Sequence, residues 1–330
     1  MDARKGAIGT KFSTSYTIND IFADLQGQTQ AKILLQLALK SQRIAPAYLF
    51  SGPSGVGRTL AVLRFLEGIL SGMQGNMSTR RRLAERNFPD LLWIEPTYQI
   101  QGQLILASQA GKFNIPRRTL PQIRLTQVRN AISFLSRRPL ESAYSIVVIE
   151  NSEMMLEGAA NALLKTLEEP GSGLLILISS NPERLLATIR SRCQQIPFKR
   201  LDTNTLMEIL KNKIGYRAYC NPELLELAAG SPGALFNHIN QWQLISKELS
   251  YRLLNLEQSS IDVLTLARDL CNNFDCEQQL WLLDWWQWQL WNRYLSIPQQ
   301  ERLEKLRRQL LAHVQPGLAW ELTLLEIMKI

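Results

Sequence analysis

The sequence predicts an α/β fold in which a mostly parallel sheet is followed by an all-helical region. Up to about residue 200, five short apolar runs alternate with segments of helical periodicity, and beyond Leu201 only the helical periodicity continues. Strands that alternate with helix-length crossovers form parallel sheets with helices on both faces, because such crossovers are right-handed. The five strand runs are residues 47–51, 91–95, 144–150, 174–180 and 194–198.

The helical region is divided in its turn. The run Gly230-Ser231-Pro232-Gly233 must stop one helix and start another, since glycine and proline both interrupt helical backbone. We place a second boundary near residues 240–248. An amphipathic helix is predicted over residues 300–311, with its leucines on one side and its charges on the other.

Tryptophans are concentrated in the last part of the chain, where five of the eight lie between Trp281 and Trp291. Trp281, Trp285 and Trp288 recur at helical spacing on one stripe, while Trp286 and Trp291 point elsewhere. A stripe of this kind is usually plain core. A helix that is apolar on more than one face must bury a second side, and subunit contact is a natural way to do so.

Length and composition are those of an ordinary globular protein: 330 residues, of which 45% are apolar and 20% charged. No run reaches the 18 to 20 apolar residues of a membrane-spanning helix, and the N-terminus lacks the apolar stretch of a secretory signal. We therefore expect a cytoplasmic protein.

The four cysteines are too far apart for a C-x-x-C site, which predicts reduced structural thiols.

The net charge of +8 is unevenly placed. Between Arg80 and Arg138, ten arginines and one lysine face three acidic residues, so this region alone equals the net charge of the whole chain. A concentrated basic region suits a polyanionic partner, because each phosphate that it neutralises releases counterions. A solvated basic face is the equally weighted alternative.

A glycine-rich loop follows the first strand run and precedes a helical run, with the sequence Gly52-Pro53-Ser54-Gly55-Val56-Gly57-Arg58-Thr59. In this context the loop and the helix N-terminus cradle phosphates with backbone N–H groups. The lysine expected before Thr59 is Arg58, and a planar guanidinium does not replace a compact ammonium between phosphates. The loop is thus strong evidence of P-loop ancestry but weak evidence of ATP hydrolysis.

The third strand run ends at Glu150-Asn151, where a hydrolysing enzyme carries an acidic pair for Mg²⁺ and water. The amide of Asn151 cannot accept a proton, and Glu153 is expected to face a neighbour or cap a helix. Both the phosphate loop, with Arg58, and the acidic pair, with Asn151, thus lack a residue expected for ATP hydrolysis. These two separate changes favour a chain that has lost catalysis.

With these motifs in view, the chain resembles the AAA+ clamp-loader family. The resemblance runs over residues 22–28, 47–53, 157–170 (EGAANALLKTLEEP) and 181–193 (NPERLLATIRSRC), and the last two are the most specific. It implies an AAA+ P-loop core with a five-stranded sheet over residues 21–200 after a tail over 1–20. A small helical lid over 201–245 and a helical collar for oligomerisation over 246–330 complete the implied fold.

The resemblance also implies roles for individual residues. Arg192, in the Ser-Arg-Cys motif, would act as an arginine finger on the nucleotide of a neighbouring subunit. A degenerate nucleotide site, which leaves binding of ATP or ADP with Mg²⁺ open, is assigned to Gly52, Gly55, Gly57, Arg58, Thr59, Glu150 and Asn181.

Three departures from the family pattern qualify this assignment. Residues 60–140 contain no cysteine, so the zinc module of the family is missing and no zinc is expected. Gly233 stands where hydrolysing relatives have a sensing arginine. Residues 96–120 match nothing in the family and have no predicted function.

The working hypothesis is a subunit that does not turn over ATP but serves its neighbours. The implied partners are other clamp-loader subunits, both ATPases of the tau/gamma type and a delta subunit, together with a sliding clamp and primed DNA. Arg124 and Arg129, on a helix with an apolar stripe, are candidates for contact with DNA phosphates.

Two alternatives stay open. One is an ATP-hydrolysing AAA+ subunit or independent motor, in which Arg58 replaces lysine and Glu150 or Glu153 performs the catalysis. The other is a P-loop kinase or other small-molecule enzyme, for which the sequence offers no acceptor site. His238 and His313 are expected to be structural.

Overall fold

A five-stranded parallel sheet forms the centre of the N-terminal part, in a computed structural model that describes residues 20–100, 102–112, 121–169, 171, 173–214, 222–256, 259–312 and 314–328. The predicted tail, apart from Asp20, lies outside the described residues, as do Cys220 and His313. The strands are β1 (Ala47–Ser51), β2 (Leu91–Ile94), β3 (Thr97–Ile100), β4 (Gln103–Leu106), β5 (Ser145–Ile149), β6 (Gly173–Ser179) and β7 (Gln194–Pro197).

The sheet has the strand order β2-β5-β6-β1-β7, and every neighbouring pair is parallel. Strands β1, β5 and β6 are buried along their whole length, as expected for a parallel sheet covered on both faces. The α/β prediction and its five strand runs are therefore confirmed.

An antiparallel hairpin of β3 and β4 was not predicted. It follows β2 directly, and Gly102 lies at its turn with a φ of 83°. Backbone hydrogen bonds between Thr97 and Gln122 join the hairpin to the segment that leads into the next helix. Part of the unassigned segment 96–120 is thus a hairpin on the edge of the core.

The helices of the core are α1 (Thr29–Lys40), α2 (Arg58–Ser71), α3 (Met77–Ala84), α4 (Leu125–Leu135), α5 (Glu157–Glu168) and α6 (Ala187–Arg190). Apolar side chains of α1 and α2 cover one face of the sheet, and those of α4 and α5 cover the other. The buried residues of α4 are Val128, Ala131 and Leu135, which form the apolar stripe of this helix.

The helices that follow are α7 (Thr203–Ile214), α8 (Pro222–Ala228), α9 (Pro232–Trp242), α10 (Lys247–Leu254), α11 (Ser260–Asn273), α12 (Cys276–Tyr294), α13 (Ile297–Leu311) and α14 (Pro316–Met328). Their buried apolar side chains form one continuous cluster. The predicted amphipathic helix is α13, which buries Leu303, Leu306 and Leu310. No helix among the described residues has the length and apolar character needed to cross a membrane.

The tryptophans of α12 are buried on more than one side. Trp285 packs against Trp242 of α9, with ring centroids 5.3 Å apart, and Trp286 packs against Trp320 of α14. Trp288 is half-buried, whereas Trp291 is 43% exposed. Helix α12 therefore lies between two neighbouring helices and leaves the aromatic side chains of Trp291 and Tyr294 on the surface.

Candidate functional site

The phosphate loop lies between β1 and α2, and its three predicted glycines all have a left-handed φ: 146° at Gly52, 75° at Gly55 and 102° at Gly57. Side chains with a Cβ rarely adopt such angles. A Cβ on Gly52 would also lie 2.3 Å from the carbonyl oxygen of Phe198. The local sequence thus forms the curled loop that its glycines predict.

Arg58 begins α2 and is only 6% exposed. Burial lowers the pKa of Arg58, and the nearby carboxylates Glu153 and Glu150 oppose that effect. A guanidinium nevertheless stays protonated in proteins. Its Nη1 has no hydrogen-bond partner among the described residues, so a buried cation stands where the expected lysine would be.

Both carboxylate oxygens of Glu150 are engaged by this chain. Its Oε1 accepts from the hydroxyl of Thr59 at 3.2 Å, and its Oε2 accepts from the indole N–H of Trp93 at 3.0 Å. Nη2 of Arg86 lies 3.5 Å from Oε2 as well. The predicted metal-holding carboxylate is therefore already paired with protein groups.

Glu153 and Asn181 lie at the same edge of the sheet. The Oε1 atom of Glu153 accepts from the backbone N–H of Ser180 at 3.0 Å and also from its hydroxyl, which fixes the end of β6. Asn181 is exposed in the next position. Glu153 thus contacts a neighbouring strand end, in agreement with the structural role expected for it.

The N-terminus of α9 lies directly on the phosphate loop. The backbone N–H of Gly233 donates to the carbonyl of Gly55 at 2.9 Å, and the hydroxyl of Ser231 donates to the carbonyl of Ser54 at 2.8 Å. A Cβ on Gly233 would lie 2.7 Å from Cα of Gly55. The absence of a side chain at Gly233 therefore permits contact between the two backbones.

As they are arranged here, these residues do not fit a magnesium nucleotide. Helix α9, here named the lid helix because it lies in the segment predicted as the lid, contacts the loop that would cradle phosphates. Arg58 replaces the lysine, and the oxygens of Glu150 are bonded to Thr59, Trp93 and Arg86. Within the described part of the chain, no three side chains of His, Cys, Asp or Glu form a metal-binding group. No step of a reaction is derived through this pocket.

Arg192 follows α6 on the surface, and its side chain is 36% exposed. One guanidinium nitrogen donates to Glu168 of α5 at 2.8 Å, and another donates to the carbonyl of Thr188 at 3.0 Å. Exposed pairs of this kind contribute about 0 to 1 kcal/mol. Arg192 is thus held in a defined position by contacts that are easily exchanged.

Arg124 and Arg129 both belong to α4, at its N-cap and in its second turn. Arg124 is half-buried and its Nε has no partner among the described residues, whereas Arg129 is exposed. Five residues along a helix correspond to a rotation of about 140°, so the two side chains leave the helix in different directions.

Sequence reasoning missed Arg86 and Trp93. The guanidinium of Arg86 stacks on the ring of Trp93, with 4.8 Å between its carbon and the ring centroid. Arg86 has a φ of 54°, just after the end of α3, where glycine is the usual residue. The left-handed conformation costs roughly 1–2 kcal/mol for a residue with a Cβ, and no local sequence pattern marks its side-chain partners.

Two family models match the chain, and they cover nearly all the described residues. The model described as "DNA polymerase III, delta subunit" matches residues 27–202, which is more than half of the chain. The model described as "Cyanobacterial DNA polymerase III delta prime, C-terminal domain" matches residues 204–327. The chain belongs to the DNA polymerase III delta-prime family. This membership confirms the clamp-loader resemblance of the sequence motifs.

Other delta-prime proteins are similar over part of the chain. The DNA polymerase III subunit delta' of Pseudomonas aeruginosa is 33% identical over 221 residues, which are 64% of this chain and 60% of that protein. The delta' subunit of Bacillus subtilis is 30% identical, and the match covers 56% of this chain and 51% of that one. The matches thus span little more than half the length of these relatives.

A solved structure supports the fold of this delta-prime family member. The gamma subunit-related protein of Thermotoga maritima aligns with a TM-score of 0.50 at 16% identity, over 91% of this chain and 99% of that chain. At this identity the likeness concerns the fold alone. It agrees with the α/β core and the helical C-terminal region.

Proposed function

We propose that this delta-prime family member is a clamp-loader subunit that does not turn over ATP and offers Arg192 to the nucleotide of a neighbouring subunit. The observation that carries the proposal is the contact between Gly233 and Gly55, which holds the lid helix against the phosphate loop. With this contact in place, the chain's own pocket has no open phosphate cradle. The reaction would then take place at the neighbour.

Arg192 suits this role because its guanidinium is charged, planar and accessible. On assembly it would exchange the carboxylate of Glu168 for a phosphate anion, at a cost of no more than about 1 kcal/mol. A guanidinium aimed at the transferred phosphoryl group stabilises the charge that develops there. The contact with the carbonyl of Thr188 would help orient the side chain during this exchange.

The partners in this proposal are ATPase subunits of the tau/gamma type and a delta subunit, with a sliding clamp and primed DNA as the assembly's substrates. The helices from α10 onward would bind neighbouring subunits, and the exposed Trp291 and Tyr294 on α12 are apolar surface available for that contact.

The test compares DNA-stimulated ATP hydrolysis by assemblies reconstituted with wild type or Arg192→Ala. Arginine fingers contribute about 10³- to 10⁵-fold in rate, so the neighbouring site should be nearly silent in single-turnover measurements. Arg184→Ala, which removes an exposed arginine of the same segment, is the matched control and should leave the rate unchanged. Normal hydrolysis by an intact Arg192→Ala assembly would leave only a scaffold role.

The alternative of an active ATPase is tested on the isolated chain. Under the proposal, radiolabelled ATP is not hydrolysed by the wild-type chain alone. ATP turnover that disappears in Thr59→Ala would support the alternative. The substitution removes the hydroxyl that contacts Glu150 at the phosphate loop, and Glu150 is the residue that would perform the catalysis.

A further inference from the structure

The ends of β2 and β5 bring two carboxylates together beside the phosphate loop. Ile94 and Ile149 are paired in the parallel sheet, so Glu95 and Glu150 follow at the same edge. Glu95 is buried, and Glu150 is less than a quarter exposed. Two such carboxylates in a poorly solvated place repel each other unless a cation lies close by.

Arg86 is the cation that contacts both carboxylates in this structure. Its Nη1 lies 3.6 Å from Oε1 of Glu95, and its Nη2 lies 3.5 Å from Oε2 of Glu150. A planar guanidinium can bridge two acceptors with two different nitrogens, which a single ammonium cannot do in the same way. The flat ring of Trp93 supports the guanidinium from one side.

The backbone of Arg86 gives independent support. After α3 the N–H of Asn87 donates to the carbonyl of Arg82, and the N–H of Arg86 donates to the carbonyl of Leu83. This is the helix end at which glycine is favoured, yet an arginine adopts the left-handed angle. Strained residues of this kind persist where their side chain is held by its surroundings.

We propose that Arg86 is the resident counter-cation of Glu95 and Glu150 and supplies the positive charge that a divalent metal would otherwise supply there. The pocket is then electrostatically complete without a metal, and a metal that enters must displace a guanidinium. The inference concerns the pocket's own charge balance and is independent of the finger proposed for Arg192.

The substitution Arg86→Gly tests it, because it removes the guanidinium and also relieves the left-handed backbone. The probe is Tb³⁺, whose emission is sensitised by a nearby indole such as that of Trp93. We expect Arg86→Gly to gain a sensitised site that binds Tb³⁺ at least about tenfold more tightly than wild type and is competed by Mg²⁺. The wild-type melting temperature should be insensitive to Mg²⁺, whereas that of the variant should rise.

Two further variants locate the effect. Arg86→Gly combined with Glu150→Gln should lose the gained site. Arg81→Ala, which removes an exposed arginine of the preceding helix α3, should behave as wild type. Equal Tb³⁺ affinity and emission in wild type and Arg86→Gly would overturn the proposal. Sensitised Tb³⁺ emission that persists when Arg86→Gly is combined with Glu150→Gln would also overturn the proposal, whatever the result for Arg192.

Discussion

The indole N–H of Trp281 donates to Nδ1 of His238 across 2.6 Å, which joins α12 to α9 by a partly buried hydrogen bond. The bond requires a neutral imidazole, because a protonated ring would present a second donor to the indole. This histidine has a structural role, as the sequence suggested. The bond also makes the packing of these two helices sensitive to protonation.

Stability should therefore fall in mild acid. Burial lowers the pKa of His238 from its ordinary value, and the charge of Asp284 opposes this effect. The unfolded chain thus binds the proton more readily, so the stabilising contribution is complete above about pH 6.5 and is lost as the pH falls toward the folded pKa. Urea denaturation at pH 7.5 and pH 5.0 should show a larger loss for wild type than for His238→Gln. An equal loss in both would contradict the assignment.

The substitution Gly233→Ala should loosen the contact between the lid helix and the phosphate loop. Its Cβ would lie 2.7 Å from Cα of Gly55, and such overpacking costs about 1–3 kcal/mol. Chemical denaturation measures this loss. Gly158→Ala is the control, because its Cβ meets nothing within 4 Å and alanine favours the helix. An unchanged free energy of unfolding for Gly233→Ala would mean that the backbones of Gly233 and Gly55 can move apart without a loss of stability.

Removing the two candidate DNA contacts should change the salt dependence of binding to primed DNA. For the assembled loader, Arg124→Ala and Arg129→Ala should each lower the slope of log affinity against log salt by about one if each side chain meets one phosphate. Arg308→Ala, an exposed arginine of α13, serves as the control. An unchanged slope for both variants would remove them from the interface.

Asp90 should contribute to the loss of stability of the core in acid. Burial opposes its ionisation, but bonds from the N–H groups of Leu140, Glu141 and Ser142, at 2.7, 2.7 and 2.8 Å, lower its pKa overall. The stabilisation is present above its ordinary pKa and is lost as the pH falls through the lower folded value.

The matching substitution is Asp90→Asn, which should cost about 1–3 kcal/mol at pH 7 because an amide cannot accept all three bonds as well. Asp269→Asn, which breaks a more exposed pair with Arg252, should cost at most about 1 kcal/mol. Thermal unfolding of both variants compares them. Equal losses would show that the three N–H bonds contribute little.

The sequence was sufficient to locate the sheet, because each central strand is a continuous apolar run between helices. The predicted ends of all five strands fall within one residue of those observed. The hairpin around Gly102 was missed, since its two strands have only four residues each and three of these eight residues are polar. Its place beside α4 depends on contacts of Thr97 with Gln122 and Gln127 rather than on periodicity.

The candidate site was predictable only where its residues are neighbours in the chain. The glycines of the phosphate loop and Glu150 follow strands, so their positions could be inferred from the strand pattern. The contact of Gly55 with Gly233 and the bridge from Arg86 to Glu150 join distant segments. The Ser-Arg-Cys motif identifies Arg192, but its pairing with Glu168 required the structure.

Helix α9 is held at both ends, by the glycine loop at its start and by the tryptophan of α12 at Trp242. Its eleven residues therefore fix a separation of about 15 Å between these two attachment points. One inserted residue would lengthen that spacing by about 1.5 Å and turn Trp242 by about 100° away from Trp285. The register of this short helix thus determines the orientation of the C-terminal helices relative to the sheet.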